Sequence, residues 1–462
     1  MKSRYKKFVT TSFFLITTKR MDALDYLLSL PRFADQGHAA YRPGLERMEA
    51  LLAAMGMPHR TYPCVHIAGT NGKGSTASLL AAIARAAGYR VGLHTSPHLW
   101  HVGERMRIDG IPAPTAWLEK AVARCRPLFE QVQPSFFEAT VALSFLYFAE
   151  QQVDLAVVEV GLGGRLDATN VVQPRLAVIT SIGLDHTDIL GETIEAIARE
   201  KAGIIKPGVP VLTGATQPEA LAVIRETAAR QQAPLHYLWE EVHLEQVEPE
   251  VACMRLTVRT PVRRYEDLEV GLLGRHQATN ALLAIRAAEL VLPEVLDDPR
   301  PIRQGLREVR QLSGLRGRFD VLQTRPLVVA DVAHNPDGLA AVLATIDALH
   351  PPGTGRRYAI WSALRDKDAP TMAGQLVRAG FSVYVAALES PRAWSAVELV
   401  AMVQQAGGQV PGVGTVASGW QLLQKRLQAD DVLLITGSHQ VVAALPPVLW
   451  QSASVAGVGW CG

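Results

Sequence analysis

The residues best suited to chemistry begin at Gly69-Thr70-Asn71-Gly72-Lys73-Gly74-Ser75, between the apolar run Val65-His66-Ile67-Ala68 and a helical pattern. Strand, glycine turn and helix start, in that order, make an anion cradle. Glycines let backbone N–H groups converge, the unpaired amides of the first helical turn face the ligand, and a lysine adds a point charge. The spacing is irregular. The common phosphate loop has four residues between its first glycine and the Gly-Lys pair, with a hydroxyl residue directly after the lysine. Here only Thr70 and Asn71 intervene, and Gly74 separates Lys73 from Ser75. A chance glycine turn beside a surface lysine is the plainer alternative, but the strand–loop–helix context favours phosphate.

A triphosphate is used with a divalent metal, so oxygen and imidazole donors at strand ends matter next. Glu159 closes the apolar run Leu155-Ala156-Val157-Val158 and precedes Gly161-Leu162-Gly163-Gly164. A carboxylate there is costly to bury unless paired or metal-bound. Asp185-His186 follows another strand end, and a loop imidazole so placed is as much a ligand candidate as a polar surface group. Ser96, in Thr95-Ser96-Pro97-His98, could offer a hydroxyl, although the spacing alone favours a plain Ser-Pro turn. Lys201, in Glu200-Lys201-Ala202-Gly203, reads as a surface lysine on a helix. Asp331 and His334, in Asp331-Val332-Ala333-His334-Asn335-Pro336, suit a ribose hydroxyl and a phosphate or carboxylate, while Asn335 with Pro336 also makes a helix cap.

These groups need a scaffold. Pro43 to Leu52 has helical spacing, and the helix after the phosphate loop runs to Gly88. Helices are expected from Trp117 to Phe129 and from Ala139 to Phe148. Val91 to His94, Leu155 to Glu159, Leu176 to Ser181 and Val209 to Thr213 read as strands of a doubly covered parallel sheet. Between about Leu235 and Leu273 the period shortens, predicting a small antiparallel patch. Helices from Ala278 to Leu290 and from Ile302 to Arg310 follow. A second α/β unit starts near Arg316, with strand candidates Leu327–Asp331, Tyr358–Trp361, Val383–Val385 and Val432–Ile435. It has no glycine-rich phosphate loop, so the nucleotide belongs to the first unit and the second closes over it. Ligands in such sheets gather at the carboxyl ends of strands, where Asp331, Ser362 and Thr436-Gly437-Ser438 fall.

The 462 residues suit two or three domains. A 48% hydrophobic and 19% charged composition describes a soluble protein with large cores. A net charge of +2 points to neither a nucleic-acid nor a membrane partner, and no apolar stretch is long enough to span a bilayer. Cys64, Cys125, Cys253 and Cys461 are scattered without metal-ligand spacing or a disulfide framework, which fits a reducing cytoplasm. Residues 1–20 lack a full signal-peptide pattern and read as a disordered extension, with Met21 as the expected start of the folded chain.

Taken together, the motifs resemble those of the folylpolyglutamate synthase/dihydrofolate synthase family, a branch of the Mur ligases. The resemblance rests on Gly69–Ser75, Thr95–Leu99 with Glu104-Arg105, Phe136-Phe137-Glu138, Glu159–Asn170, Asp185-His186, Glu200–Lys206, Gly317-Arg318-Phe319, Asp331 with His334-Asn335-Pro336, Asp366-Lys367-Asp368 and Thr436-Gly437-Ser438. It spans Met21 to about Leu449. It implies two α/β domains: a phosphate-loop Mur-ligase-type domain with an antiparallel patch over residues 21–311, and a Rossmann-like glutamate-ligase domain over 312–462.

The implied activity is ATP-dependent amide ligation through an acyl phosphate, adding L-glutamate to dihydropteroate or to a folate tail. By resemblance, Thr70, Asn71, Gly72, Lys73, Gly74 and Ser75 cradle the phosphates of ATP. Asn280, Arg318 and Asp331 match further ATP contacts. Ser96 and Glu159 would hold one Mg2+ and His186 a second, which reverses the plain reading of Ser96. Lys201 matches a carboxylated lysine, and His334 and Ser438 match positions beside the incoming glutamate. Phe136, Phe137, Glu138 and Asp167 match the pterin side. The chain departs from the family at Arg42-Pro43, at Val332 and at His439-Gln440. A cytoplasmic monomer acting on small molecules is expected. The rival within the superfamily is a ligase adding an amino acid to a UDP-muramyl precursor, and the rival outside it is a non-catalytic nucleotide switch.

Overall fold

The computed structural model describes residues 22–32, 43–249, 253–446 and 448–450. The expected extension at 1–20, the expected start at Met21 and the altered Arg42 lie outside the described residues.

The first unit is built on an eight-stranded sheet ordered β4-β3-β2-β5-β1-β6-β7-β8. Its strands are β1 Cys64–Ala68, β2 Val91–His94, β3 Met106–Ile108, β4 Ile111–Pro112, β5 Leu155–Glu159, β6 Leu176–Ile179, β7 Val211–Thr213 and β8 Leu235–Tyr237. Strands β2, β5, β1 and β6 are parallel neighbours and every residue in them is buried. Their near-continuous apolar sequence is what a sheet covered on both faces requires. Because all four run the same way, the loops after Ala68, His94, Glu159 and Ile179 emerge along one edge. This brings the phosphate loop, Ser96, Glu159 and the Ser181–His186 loop together.

A three-stranded antiparallel sheet, ordered β11-β10-β9, is added from β9 His243–Pro249, β10 Met254–Arg259 and β11 Arg264–Val270. The antiparallel patch starts later than its sequence period suggests, because Leu235–Tyr237 joins the large parallel sheet as β8. The second unit carries a six-stranded sheet ordered β12-β13-β17-β14-β15-β16. It comprises β12 Asp320–Thr324, β13 Leu327–Ala330, β14 Arg357–Trp361, β15 Phe381–Ala386, β16 Val413–Gly414 and β17 Val432–Thr436. Only β12 is antiparallel to its neighbour. The carboxyl ends of β13, β17 and β14 are adjacent, which places Asp331, Ser438 and Ser362 at one edge.

Helix α1 (Lys73–Ala86) is buried from Gly74 to Ala84. Helix α2 (Phe136–Glu150) starts three residues earlier than its apolar pattern, at a capping box in which Ser135 and Glu138 satisfy each other's backbone. Helices α3 (Ile194–Ala202), α4 (Arg275–Val291) and α5 (Pro336–Leu349) follow, and α6 (His439–Ala443) is a single turn after β17. The helix expected from Ile302 to Arg310 is two helices, Arg300–Arg307 and Val309–Ser313. Cys64 and Cys125 are free, whereas Cys253 is disulfide-bonded, a pairing its isolated position in the sequence did not announce. No helix of the described residues is long and apolar enough to cross a membrane.

Candidate functional site

The turn from β1 into α1 depends on two glycines. Gly69 has φ +154°, and a Cβ there would lie 1.9 Å from Thr180 Oγ1. Gly72 has φ +85°, and a Cβ would lie 2.3 Å from Asn280 Oδ1. Both positions combine a backbone that side chains resist with a close approach. Neighbouring hydroxyls brace the loop: Thr180 and Ser181 donate to the Asn71 carbonyl at 2.7 and 3.0 Å, and Thr70 Oγ1 donates to Gly183 O at 3.1 Å. Lys73 Nζ donates to the carbonyls of Gly69 and Thr70 at 3.0 and 3.1 Å. Burial lowers the Lys73 pKa, and Glu159 and Asp185 oppose that shift. Ser75 is buried beneath the loop, and Asn280, on α4, accepts from Thr76 Oγ1 at 3.4 Å.

Glu159, at the end of β5, is 3% exposed and accepts from the Ser96 backbone N–H at 3.0 Å. Burial raises its pKa, and Lys73, the Ser96 N–H, Arg318 and Arg105 hold the shift down. Lys201 is not the surface lysine its spacing suggested. It is 4% exposed and donates to Gly69 O at 3.0 Å, so Lys73 and Lys201 share one carbonyl. Burial, and then Lys73, push its pKa down to about 7.

His186 sits at φ 51°, ψ 41°, a left-handed conformation costly for a residue with a side chain and frequent at functional positions. The Lys367 ammonium, from the second unit, lies 3.1 Å from His186 Nε2 and 2.7 Å from Asp185 Oδ1. Burial works against the Asp185 carboxylate, yet Lys367 and His186 hold its pKa below the usual range. Burial, and then Lys367, lower the His186 pKa to about 4.

Among the described residues, no three His, Cys, Asp or Glu side chains cluster as a complete metal cage. The donors nevertheless fit a divalent cation that also binds phosphate oxygens. Glu159 is a buried carboxylate with the Ser96 hydroxyl on the adjoining loop, and the Asp185–His186 pair already receives a cation, the Lys367 ammonium.

The second unit contributes from its strand ends. Asp331 is 5% exposed and accepts from the N–H groups of Phe319 and Ala333, both at 2.7 Å. Burial lifts its pKa to about 6 against the pull of Arg318. Arg318 Nη2 lies 3.5 Å from where a Cβ on Gly74 would be, over the phosphate loop. His334 Nδ1 is 2.9 Å from Val332 O. A carbonyl only accepts, so this bond puts the proton on Nδ1 and leaves Nε2 as an acceptor. Burial, and then Lys367, lower its pKa to about 4. Asn335 caps α5 through Gly338 N–H and also donates across the cleft to Asn71 Oδ1 at 3.1 Å and Asp185 Oδ2 at 3.2 Å. Ser438 Oγ accepts from Val441 N–H at 3.2 Å and so caps α6.

On the side expected to take the pterin, Phe137 packs against Gly161, and the Arg105 guanidinium stands 5.1 Å from the Phe136 ring centre. Asp167 is buried and accepts from Leu162 N–H at 2.9 Å, Thr169 N–H at 3.0 Å and Thr169 Oγ1 at 2.5 Å. Glu138 is already engaged: Oε2 accepts from Ser135 N–H and Oγ at 2.7 Å, and Oε1 from Arg47 Nε at 3.1 Å. It shapes the start of α2 before it could do anything else.

Residues 67–288 match the Mur ligase middle domain, and residues 317–439 match the Mur ligase glutamate ligase domain. A Bacillus subtilis dihydrofolate synthase/folylpolyglutamate synthase is 40% identical over 78% of this chain and 84% of its own length. The Escherichia coli dihydrofolate synthase/folylpolyglutamate synthase is 34% identical over 88% of this chain and 91% of its own. The chain belongs to the folylpolyglutamate synthase/dihydrofolate synthase family. Among solved structures, E. coli FolC in complex with DHPP and ADP superposes with a TM-score of 0.82 at 32% identity, covering 93% of this chain and 98% of that one. Mycobacterium tuberculosis folylpolyglutamate synthase complexed with ADP and AMPPCP gives 0.81 at 32% identity, covering 93% and 99%.

Within this member of the family, one edge gathers the phosphate loop, Ser96, Glu159, His186 and Lys201, and the facing edge supplies Arg318, Asp331, His334 and Ser438. Sequence reasoning gave Asn335 only a helix cap, named Asp185 only as the neighbour of His186, and assigned no role to Lys367. The available signal was Asp366-Lys367-Asp368, a lysine between two carboxylates on the loop after β14.

Proposed function

We propose that this protein joins L-glutamate to dihydropteroate, and to the glutamate tail of a folate, at the expense of ATP. The observation that carries the reading is the pair of facing edges. A phosphate cradle with two buried lysines on one carbonyl stands opposite Arg318, Asp331, His334 and Asn335 from the second unit. We assign residues 21–311 to the ATP- and pterin-binding domain, residues 312–462 to the glutamate-ligase domain, and the protein to the cytoplasm as a monomer.

Thr70 to Ser75 hold the phosphates, Lys73 and Arg318 face the transferring group, and Asn280 and Asp331 serve the rest of ATP. A carboxylate oxygen of the pterin substrate attacks the γ-phosphorus, and the bond to ADP breaks, giving an acyl phosphate. The glutamate amine then attacks the acyl carbon, phosphate leaves, and one proton leaves the nitrogen. His334, with Nε2 as an acceptor in a half-buried ring, is suited to receive that proton, and Ser438 to orient the amino acid. Closure of the cleft keeps water from the acyl phosphate. Ser96, Glu159 and His186 would hold two Mg2+ ions, whose positive charge would offset that of the phosphoryl group. Lys201, as a neutral amine, can add CO2 and release one proton, becoming a carbamate anion that supports this cation cluster. Phe136, Phe137 and Asp167 would receive the flat pterin, with Glu138 shaping that wall.

Purified protein with ATP, Mg2+ and labelled glutamate, offered dihydropteroate or tetrahydrofolate separately, is expected to form a labelled amide with one or both. Label on a UDP-muramyl acceptor instead would favour the cell-wall ligase. Nucleotide binding without glutamate-dependent phosphate release would favour the switch.

A further inference from the structure

The cleft has a corner that the phosphate and metal chemistry does not use. His439 opens α6 directly after Ser438, and its ring centre lies 5.8 Å from that of His334. Arg318 and His334 from the second unit and Arg105 and His98 from the first act on it most strongly. All four are basic. Burial, and then Arg318, hold the His439 pKa well below its usual value. No described residue makes a hydrogen bond to its ring.

The neighbouring residues fix this corner in place. Arg105 Nε donates to His98 Nδ1 at 2.8 Å, which puts the His98 proton on Nε2 as a donor. Both groups lie against Phe136, at 5.1 Å for the guanidinium and 6.5 Å for the imidazole. Two residues on from His98, the Trp100 indole donates to Ala443 O, the last residue of α6, at 3.1 Å. One loop of the first unit is thereby pinned to the helix that carries His439. Glu104 and Glu159 face Arg105, and Glu159 and Asp331 face Arg318, whereas the four side chains that act most strongly on His439 are all basic. The corner therefore lies between the aromatic wall at Phe136 and the phosphate loop under Arg318, the places that the ligase reading gives to the pterin and to ATP.

The two acceptors differ in charge at that end. Dihydropteroate has one carboxylate, the reacting one. A folate monoglutamate, whose glutamate is joined through its amine, has two: the γ-carboxylate reacts and the α-carboxylate does not. We propose that His439, with His98 and Arg105, forms a carboxylate subsite that holds this non-reacting α-carboxylate and so sets the preference for tail extension over first-glutamate addition. This rests on the ligase reading above. A neutral imidazole can donate one hydrogen bond, and a bound anion favours its protonation, which strengthens the contact.

The test compares wild type, His439→Leu and His439→Gln with tetrahydrofolate monoglutamate and with dihydropteroate, measuring KM for each acceptor, for ATP and for glutamate. His439→Leu is expected to raise KM for tetrahydrofolate about tenfold, with the dihydropteroate and glutamate KM values within about twofold and a smaller loss in His439→Gln. Dihydropteroate turnover by the variants also reports that they fold. An equal rise for both acceptors, a rise confined to glutamate, or no change overturns the proposal while the ligase reading stands. Absence of ligation by the wild type overturns the ligase reading itself.

Discussion

At the scale of single residues, the environment of a side chain decides its chemistry, and Lys201 is the clearest case. A lysine at about 7 is largely neutral just above that pH, and only the neutral amine attacks CO2. Carbamate is therefore expected to accumulate as pH rises through about 7. Carbon-13 bicarbonate should give a carbamate resonance in the wild type that is absent in Lys201→Arg. The linkage has the same sign. The unfolded lysine, near 10.5, holds more protons than the folded one between about 7 and 10.5, so stability of the unmodified protein rises with pH across that window. Lys73→Ala is expected to fold and to lose at least about 100-fold in turnover, read by phosphate release beside an unchanged circular dichroism spectrum. Spacing pointed to Lys73, Glu159 and the Asp185-His186 pair because each sits at a strand end. It read Lys201 as exposed, because the shared Gly69 carbonyl that buries it lies 132 positions away in sequence.

Among the elements, parallel strands with continuous apolar runs were readable, and edges were not. β16 has two residues, β12 mixes buried and exposed positions, and β8 is only partly buried, so none carries the signal of a doubly covered strand. Helix starts are governed by local chemistry instead. The Ser135–Glu138 capping box moves α2 back to Phe136, and Ser135→Ala should cost about 1 kcal/mol by denaturant titration. The box also ties up Glu138, which the motif alone had suggested for the substrate. At the β1–α1 turn, Gly72→Ala meets both the φ of +85° and the Asn280 amide. It should raise the ATP KM several-fold, with a conformational cost of about 1–2 kcal/mol; an unchanged KM would show that the loop adapts.

For the whole molecule, the cleft is held by contacts between residues far apart in sequence. Lys367 reaches Asp185 and His186, and Asn335 reaches Asn71 and Asp185. No periodicity pairs such positions, so the two units were legible and their mutual docking was not. Lys367→Met removes the cation and leaves the half-buried Asp185 without its charge partner, a destabilising change. Without nucleotide, its radius of gyration by solution scattering should exceed that of the wild type; equal values would mean that the other cross-cleft bonds suffice. The central claim is that the two edges together drive amide formation through an acyl phosphate. Dihydropteroate or tetrahydrofolate labelled with oxygen-18 in the reacting carboxyl tests it directly, with ATP and glutamate present. One labelled oxygen is expected in the released phosphate for each amide formed. Phosphate that carries no label would contradict the account.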